Sequence, residues 1–479
     1  MSRTPSTQRR RTKIVATIGP ASRDPAVIEE LIRAGVNVFR MNLSHGNHDD
    51  HRENFARIRA SSARLGHPVA ILADLCGPKI RVGKFVGGHI LVTTDERVTV
   101  TTRDVPGEPG LIPSQYAALA HDVRPGDHIL IDDGLIELKV ESTSGTEIYC
   151  TVVTGGMVRD RKGMNLPGVA VSSPALTDKD REDSQLALDL GVDFLALSFV
   201  RRPDDVRQLK ELIHSRGKPT PVIAKIEKPE AMECIDEIIA EADGIMVARG
   251  DLGVEMPPET VPLVQRELIE RCRLASKPVI VATQMLESMI NHPTPTRAEV
   301  SDVSTAVFLG SDAVMLSAET ASGAFPVKAV QMMDRVARQV ENWQHLDAGF
   351  SSITEDDEHE LPELLTLRQA IARSTAQLSR DLQVRAIVVR TQKGTSAAVM
   401  SATRPAAPVV AMTMEDQVAR RLQLFWGVIP RVIDGIDFSE PRPAARHLAL
   451  DLRLAEAGQF ILLLTGFGKN EPTISALTV

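Results

Sequence analysis

Lys225 and Glu227 close an apolar run, Pro221-Val-Ile-Ala-Lys-Ile-Glu-Lys228, and so present an ammonium and a carboxylate two residues apart. Side chains alternate along a strand, which puts both on one face. A second apolar run, Gly244-Ile-Met-Val-Ala-Arg-Gly-Asp251, ends about one strand–helix repeat later with Asp251 beside a glycine. Two hard carboxylate donors suit Mg2+ held partly hydrated against a phosphorylated substrate, and the lysine can neutralise charge that develops on an oxygen. A plain salt bridge from either carboxylate to Lys225 or Arg249 is the simpler use of the same residues, and the two uses are compatible. Gly250 permits close backbone approach, so the carboxylate of a small ligand can take main-chain N–H bonds there, with Thr283 adding a hydroxyl. Arg40 and Arg81 offer forked donors to phosphate oxygens. Lys162, in Arg161-Lys-Gly-Met-Asn-Leu-Pro-Gly168, is expected to reach a nucleotide phosphate. These residues together predict an enzyme acting on an anion.

The elements that must hold them are short β-branched runs at Lys13–Ile18, Val36–Leu43, Val69–Leu75, Val192–Phe199, Pro221–Ile226, Gly244–Ala248, Pro278–Ala282 and Ala313–Leu316, eight in all. Helical stretches such as Pro25–Ala34, Asp204–Ser215, Pro229–Ala240, Pro258–Ala275 and Thr296–Leu309 separate most of them. The repeated strand–helix order predicts an α/β fold built on a (β/α)8 TIM barrel. Polar residues gather at the C-terminal ends of the runs, where this fold keeps its active sites: Gly19, Arg40, Asn42, Ser44, His45, Asp74, Ser198, Lys225, Glu227, Arg249, Asp251, Thr283, Gln284, Ser317 and Glu319. One gap, from Leu75 to Val192, is too long for a single helix, and it alternates apolar and polar residues at His89–Thr94, Arg97–Thr102, His128–Ile131, Leu135–Ser142 and Glu147–Val153. A small all-β domain inserted after the third strand is expected, overhanging the barrel mouth and able to close on substrate.

Beyond Trp343 an acidic stretch, Asp347–Leu361, is expected to be a connection. A C-terminal α/β domain should follow, with strands Ala386–Val389, Val409–Met412 and Phe460–Leu464 and helices Leu364–Leu378 and Asp416–Trp426. The expected division is 12–83 and 170–343 for the barrel, 84–169 for the insertion and 360–479 for the tail domain. In the tail, Val389-Arg-Thr-Gln-Lys-Gly-Thr-Ser-Ala397 runs from a strand into a helix, with Thr391, Lys393, Gly394, Thr395 and Ser396 at the junction. Such a junction can hold a phosphate, or its hydroxyls can serve simply as N-caps.

With 479 residues the chain exceeds one ordinary core, so two or three domains are expected. No apolar run reaches the roughly 20 residues that span a bilayer, and the first residues lack a signal peptide's apolar stretch; a cytoplasmic protein is expected. Cys76, Cys150, Cys234 and Cys272 are scattered without metal-ligand spacing, which predicts reduced thiols. A net charge of −8 and 3% aromatic residues leave neither a basic footprint nor a stacking surface for nucleic acid. The one basic run, Arg9, Arg10, Arg11 and Lys13, is expected to be a solvated terminal arm.

Seven segments carry a family resemblance: Phe39-Arg-Met-Asn-Leu-Ser-His-Gly46, Lys162-Gly-Met-Asn-Leu-Pro-Gly168, Ala224-Lys-Ile-Glu-Lys228, Met246-Val-Ala-Arg-Gly-Asp-Leu-Gly-Val-Glu255, Ala282-Thr-Gln-Met-Leu-Glu-Ser-Met289, Pro295-Thr-Arg-Ala-Glu-Val-Ser-Asp302 and Met315-Leu-Ser-Ala-Glu-Thr320. In order and content they resemble pyruvate kinase. The resemblance implies transfer of a phosphoryl group from phosphoenolpyruvate to ADP, giving pyruvate and ATP in glycolysis. It implies Glu227 and Asp251 as ligands of Mg2+, with Mn2+ as a substitute, and Lys225 stabilising the phosphoryl group and enolate oxygen. It further implies Arg40 on the transferring phosphoryl; Asn42, His45, Arg81 and Lys162 on the nucleotide; and Gly250, Asp251 and Thr283 on the substrate carboxylate. Protonation of the enolate would involve water near Thr283 and Ser317, with a relay that includes Glu319.

The familiar K+ site of that family uses an asparagine, a serine, an aspartate and a threonine near a glutamate. Asn42, Ser44 and Asp74 match it, but Leu75 replaces the threonine, Cys76 a frequent lysine and Lys79 the glutamate in Asp74-Leu-Cys-Gly-Pro-Lys-Ile-Arg81. The pattern resembles the cation-independent branch, so activity without K+ is expected, the Lys79 ammonium supplying the missing charge. Lys79 pointing to solvent, with K+ still bound, is the alternative. The resemblance also implies a homotetramer and, at Thr391–Ser396, a sugar-phosphate or nucleotide effector. A Mg2+-dependent barrel lyase or aldolase and a non-catalytic sugar-phosphate sensor are rival readings; the first would need neither the insertion nor Lys162, and the second leaves the catalytic set unexplained.

Overall fold

The computed structural model describes residues 9–347, 365–467 and 471–479. Eight parallel strands form a closed barrel: β1 (Lys13–Thr17), β2 (Val38–Asn42), β3 (Ala70–Asp74), β4 (Phe194–Leu197), β5 (Val222–Ile226), β6 (Gly244–Ala248), β7 (Val279–Ala282) and β8 (Ala313–Leu316). Each pairs with its neighbours in chain order, and β8 returns to β1 with Lys13 opposite Ala313. Strands buried on both faces must be apolar nearly throughout, which is why these runs do not alternate. One set of side chains, including Val15, Val38, Leu72, Phe194, Ile223, Met246, Ile280 and Met315, fills the barrel interior. The other set packs outward on the helices, as Ile14, Phe39, Ile71, Leu195, Val222, Ile245, Val279 and Val314 do.

The helices are delimited by local chemistry. Helix Pro25–Ala34 starts with Asp24 accepting from the Ala26 amide at 2.8 Å and Pro25 in its first turn, and it stops at Gly35, whose φ of 113° only glycine adopts cheaply. Helix Asp178–Leu190 begins in a capping box between Thr177 and Asp180. Two expected helices start differently: Pro229–Cys234 and Pro258–Thr260 are 3-10 turns that lead into helices Ile235–Glu241 and Val261–Leu274.

Between β3 and β4 the chain forms a six-stranded and a two-stranded sheet, with a core of its own that includes Val98, Val100, Ile129, Leu138, Ile148 and Val152. The tail sheet runs in the order Val428–Val432, Val409–Thr413, Ile387–Arg390, Phe460–Thr465 and Thr473–Thr478, the last strand antiparallel. The expected helix Asp416–Trp426 ends at Arg421, and a 3-10 turn, Leu422–Leu424, precedes an unforeseen strand containing Pro430. That proline is tolerated because the strand lies at the sheet edge. Leu424 packs into the cluster that fills the barrel, so the tail domain plugs the barrel floor. The expected acidic connection lies, apart from Asp347, outside the described residues.

The basic run is not a solvated arm. Arg10 pairs with Asp334 at 2.8 Å, Arg11 donates to the Ala406 carbonyl at 2.7 Å and stacks over Trp426, and buried Lys13 donates to the Val428 carbonyl at 2.7 Å. Carbonyls and carboxylates of the tail and of the last barrel helix satisfy these cations, partners that lie hundreds of residues away in sequence.

Candidate active site

The C-terminal ends of β2, β3, β4 and β5 bring four charges together. Lys225 Nζ lies 2.9 Å from Glu227 Oε1, 3.2 Å from Asp74 Oδ1 and 2.7 Å from Ser198 Oγ. Arg40 Nε pairs with Asp74 Oδ2 at 2.6 Å, and Arg40 Nη1 donates to Thr17 Oγ1 at 3.1 Å. All four ionised groups are buried, two of each sign, so the cluster is neutral as a whole. Burial disfavours the charged form of Asp74, but Lys225 and Arg40 outweigh it and hold its pKa below the ordinary value. For Lys225, burial is outweighed by Asp74 and Glu227, and its pKa rises. The ammonium therefore stays charged throughout the physiological range.

Glu227 is anchored from its other side: Oε2 accepts the Phe199 N–H at 2.7 Å, and Phe199 has a φ of 55°. Burial raises the Glu227 pKa, and the carboxylates of Asp251 and Asp74 raise it further against the pull of Lys225. Asp251 sits in the first turn of a short helix, Arg249–Glu255, that begins directly after β6. Two mutually repelling carboxylates at one mouth gain from a cation between them. Among the described residues no cluster of three His, Cys, Asp or Glu side chains forms a metal cage. A pair of carboxylates leaving positions for water and phosphate oxygens is the donor set Mg2+ accepts, so the residues fit that ion.

Lys79 does not point away from this centre: its Nζ lies 3.2 Å from Asp251 Oδ1, with the side chain 30% exposed. Gly77 makes the turn that brings it there. Its φ is 68°, and a Cβ at that position would stand 2.7 Å from the Phe199 ring and 2.8 Å from Ser198 Cβ. Arg249, considered above as a partner for Glu227 or Asp251, instead pairs with Asp302 at 2.6 Å and donates to the Ala282 and Thr283 carbonyls. It thereby braces the turn that carries Thr283 and Gln284, whose φ values are 67° and 53°. Left-handed backbone at non-glycine residues is costly and concentrates at functional sites. Thr283 Oγ1 accepts the Gly250 N–H at 2.8 Å, so these two residues meet as expected, although this amide is already engaged.

His45 is flanked by Arg81, Arg40 and Lys79; partial burial and the repulsion of those three cations lower its pKa. Arg81 donates to the Arg161 carbonyl at 3.1 Å and forms a bridge with Gly163, which brings the Lys162 segment beside β3. Lys162 itself pairs with Asp132 of the insertion at 2.8 Å. Asn42 Oδ1 accepts the Ser44 N–H at 3.2 Å, a local turn beside Asp74. Glu319 is anchored on both oxygens: Oε1 accepts the Leu286 N–H at 3.1 Å and Oε2 the Ser317 N–H at 2.7 Å, so this buried carboxylate fixes the loops after β7 and β8, and burial raises its pKa.

In the tail, helix Thr395–Ala402 starts at Gly394, whose φ is 88°, with no side-chain cap. Thr391 Oγ1 accepts the Gly394 N–H at 3.0 Å, Lys393 and Thr395 are exposed, and Ser396 is buried. The Thr391 hydroxyl thus takes the amide of the N-cap residue itself, while the N-cap, a glycine, has no side chain to offer the first-turn amides. Sequence reasoning singled out neither Lys228, Asn165 nor Glu255, which meet beside the mouth. Glu255 stands four residues after Asp251, and recognising the helix that starts at Arg249 would have put the two on one face.

The family model described as pyruvate kinase, barrel domain, matches residues 9–330, and that described as pyruvate kinase, alpha/beta domain, matches residues 369–477. A pyruvate kinase of Agrobacterium vitis is 44% identical over 461 residues, 96% of this chain and 95% of that protein. One from Staphylococcus saprophyticus is 45% identical over 466 residues, covering 96% of this chain and 78% of the relative. A crystal structure of a pyruvate kinase from Cryptosporidium parvum superposes with a TM-score of 0.92 at 38% identity, over 98% of this chain and 97% of that one.

Proposed function

The chain belongs to the pyruvate kinase family, and from that premise we propose that its barrel mouth transfers the phosphoryl group of phosphoenolpyruvate to ADP, with Mg2+ and without a K+ requirement. The observation that carries the reading is the buried Lys225 ammonium, held between Asp74 and Glu227, with Asp251 near enough to Glu227 to raise its pKa. A divalent ion on that pair, Mg2+ or Mn2+, would draw charge from phosphoryl and enolate oxygens. The chain's own contribution is positioning and electrostatics. Phosphoryl transfer puts negative charge on the oxygens of the moving group and on the leaving enolate. Lys225 is a fixed cation where that charge grows, and a preorganised cation needs no reorganisation at the moment of transfer.

Arg40, already turned by Asp74 and Thr17, binds the transferring phosphoryl group. Arg81, Lys162, Asn42 and His45 take the nucleotide, His45 as a neutral imidazole because burial and then its cationic neighbours lower its pKa. Thr283 releases the Gly250 amide to the substrate carboxylate and takes up the second hydrogen-bonding role there. Lys79, on Asp251, provides the fixed positive charge that a monovalent ion would otherwise bring. The same reading makes this a glycolytic, cytoplasmic homotetramer with a phosphate-bearing effector, a sugar phosphate or a nucleotide, at Thr391, Lys393, Gly394, Thr395 and Ser396. It keeps the domain bounds 12–83 and 170–343, 84–169 and 360–479.

The test is pyruvate formation from phosphoenolpyruvate with Mg2+ and ADP, run in K+-free buffer and with K+ added. Comparable rates support both parts of the reading. Activity only with K+ keeps the kinase and removes the role of Lys79, and pyruvate formed without ADP dependence points to a lyase.

A further inference from the structure

Glu255, Lys228 and Asn165 form a charge-assisted junction that the proposed chemistry does not use. Glu255 Oε1 accepts from Lys228 Nζ at 2.7 Å and from Asn165 Nδ2 at 2.8 Å. The three residues are 4%, 7% and 7% exposed, and Glu255 Oε2 is buried without a partner. Burying an ion pair costs desolvation that hydrophobic residues of similar size would avoid, so its presence calls for a purpose other than stability.

Its connections supply one. Lys228 is the residue after Glu227, and Glu255 lies one helical turn after Asp251 on the helix Arg249–Glu255. The Lys228–Glu255 pair therefore spans the two backbones that carry the carboxylate pair. Asn165 belongs to the strand Met164–Asn165, which pairs with Leu130 and Ile131 of the inserted sheet, so the third arm reaches the segment that carries Lys162. The three also line a cavity of about 30 Å3, together with Lys79, which holds Asp251, and Phe199, whose N–H holds Glu227. Such a space admits a water to satisfy the unpartnered oxygen.

We propose that Glu255 is a positioning residue for the divalent-ion centre: through Lys228 and through its own helix it fixes the spacing of Glu227 and Asp251, and through Asn165 it ties that spacing to the inserted domain. The proposal rests on the reading of Glu227 and Asp251 as the ion's ligands. Partners that orient ligating carboxylates typically change metal affinity by about 10- to 100-fold when removed.

Mn2+ binding is measured by electron paramagnetic resonance titration in the absence of nucleotide, with thermal unfolding alongside, on Glu255→Gln, on the double variant Lys228→Met with Glu255→Leu, and on Asp251→Asn. The double variant removes both charges at once, so no unpaired charge is left buried, and thermal unfolding reports whether the fold is kept. The expected result is a loss of about tenfold or more in Mn2+ affinity in the double variant at a near wild-type thermal midpoint, with a smaller loss in Glu255→Gln. Wild-type Mn2+ affinity in the double variant, while Asp251→Asn loses binding, overturns the positioning role and leaves the ligand assignment standing. Wild-type affinity in Asp251→Asn overturns the ligand assignment and the positioning role with it.

Discussion

The two ends of the barrel both bury charge, and they finish it differently. At the floor, Asp193 accepts from the Ile71 N–H and Arg59 on one oxygen and from Arg420 on the other. Asp312 accepts from Arg404 and the Val279 N–H on one oxygen and from the Trp426 N–H on the other, and Glu341 caps the amides of Arg11 and Thr12. Every oxygen of these three carboxylates is engaged. At the mouth, Asp74 Oδ1 has an ionic neighbour but no hydrogen bond, Glu255 Oε2 has none, and the Asp251 side chain remains 22% exposed. Left-handed non-glycine residues occur at both ends, Phe199, Thr283 and Gln284 at the mouth and Arg404 at the floor. Glu227 and Glu319 use both oxygens at the mouth as well, so the ends differ at Asp74, Asp251 and Glu255: the floor carboxylates are all spent on the joint between barrel and tail, whereas these three keep spare capacity at the end where this fold places its active sites.

A floor variant should break stability and spare chemistry. Asp312→Ala strands Arg404 in the seam and is expected to cost about 3–5 kcal/mol of stability, with turnover per folded molecule unchanged. Denaturant unfolding together with active-site titration checks both halves; a fall in turnover per folded molecule would erase the contrast between the ends.

Lys79→Glu acts at the mouth, exchanging the cation beside Asp251 for a like charge. K+-free turnover should fall by about 10- to 100-fold, the equivalent of a lost charged hydrogen bond of about 1.5–3 kcal/mol, with added K+ restoring part of it. Unchanged K+-free rates would remove Lys79 from the cation argument.

The smallest effect belongs to Lys13, whose pKa burial pushes down to about 7 from 10.5. Between those values the unfolded chain binds the proton that the folded protein has released. Burying this lysine thus weighs fully on stability below about pH 7, and the burden lifts as pH rises toward 10.5. Lys13→Met should flatten that rise, by on the order of 1 kcal/mol between pH 7 and 9, in thermal unfolding followed at both values. An equally steep rise in the variant would assign the pH dependence elsewhere.

The barrel strands were legible to within a residue or two, because parallel strands buried on both faces leave continuous β-branched runs. The strand Val428–Val432 was hidden by Pro430, acceptable only because that strand proved to be an edge. The helix Arg249–Glu255 was missed because it has no side-chain cap and contains Gly250 and Gly253, poor helix formers that tertiary contacts override. Arg10 and Lys13 looked solvated because their partners, Asp334 and Val428, are remote in sequence. At the site, Lys225, Glu227 and Asp251 could be found from strand ends alone, since the fold gathers those ends. The junction at Glu255 could not, for it depends on a helix, a strand end and an inserted sheet meeting in space.

The most direct measurement of the central claim, that Lys225 stabilises charge in phosphoryl transfer, is the ADP-dependent rate of pyruvate formation by Lys225→Met against the unaltered protein, both verified as folded. Removing a preorganised cation of this kind is expected to lower kcat by about 100- to 1,000-fold. Turnover by folded Lys225→Met at the unaltered rate would contradict the account.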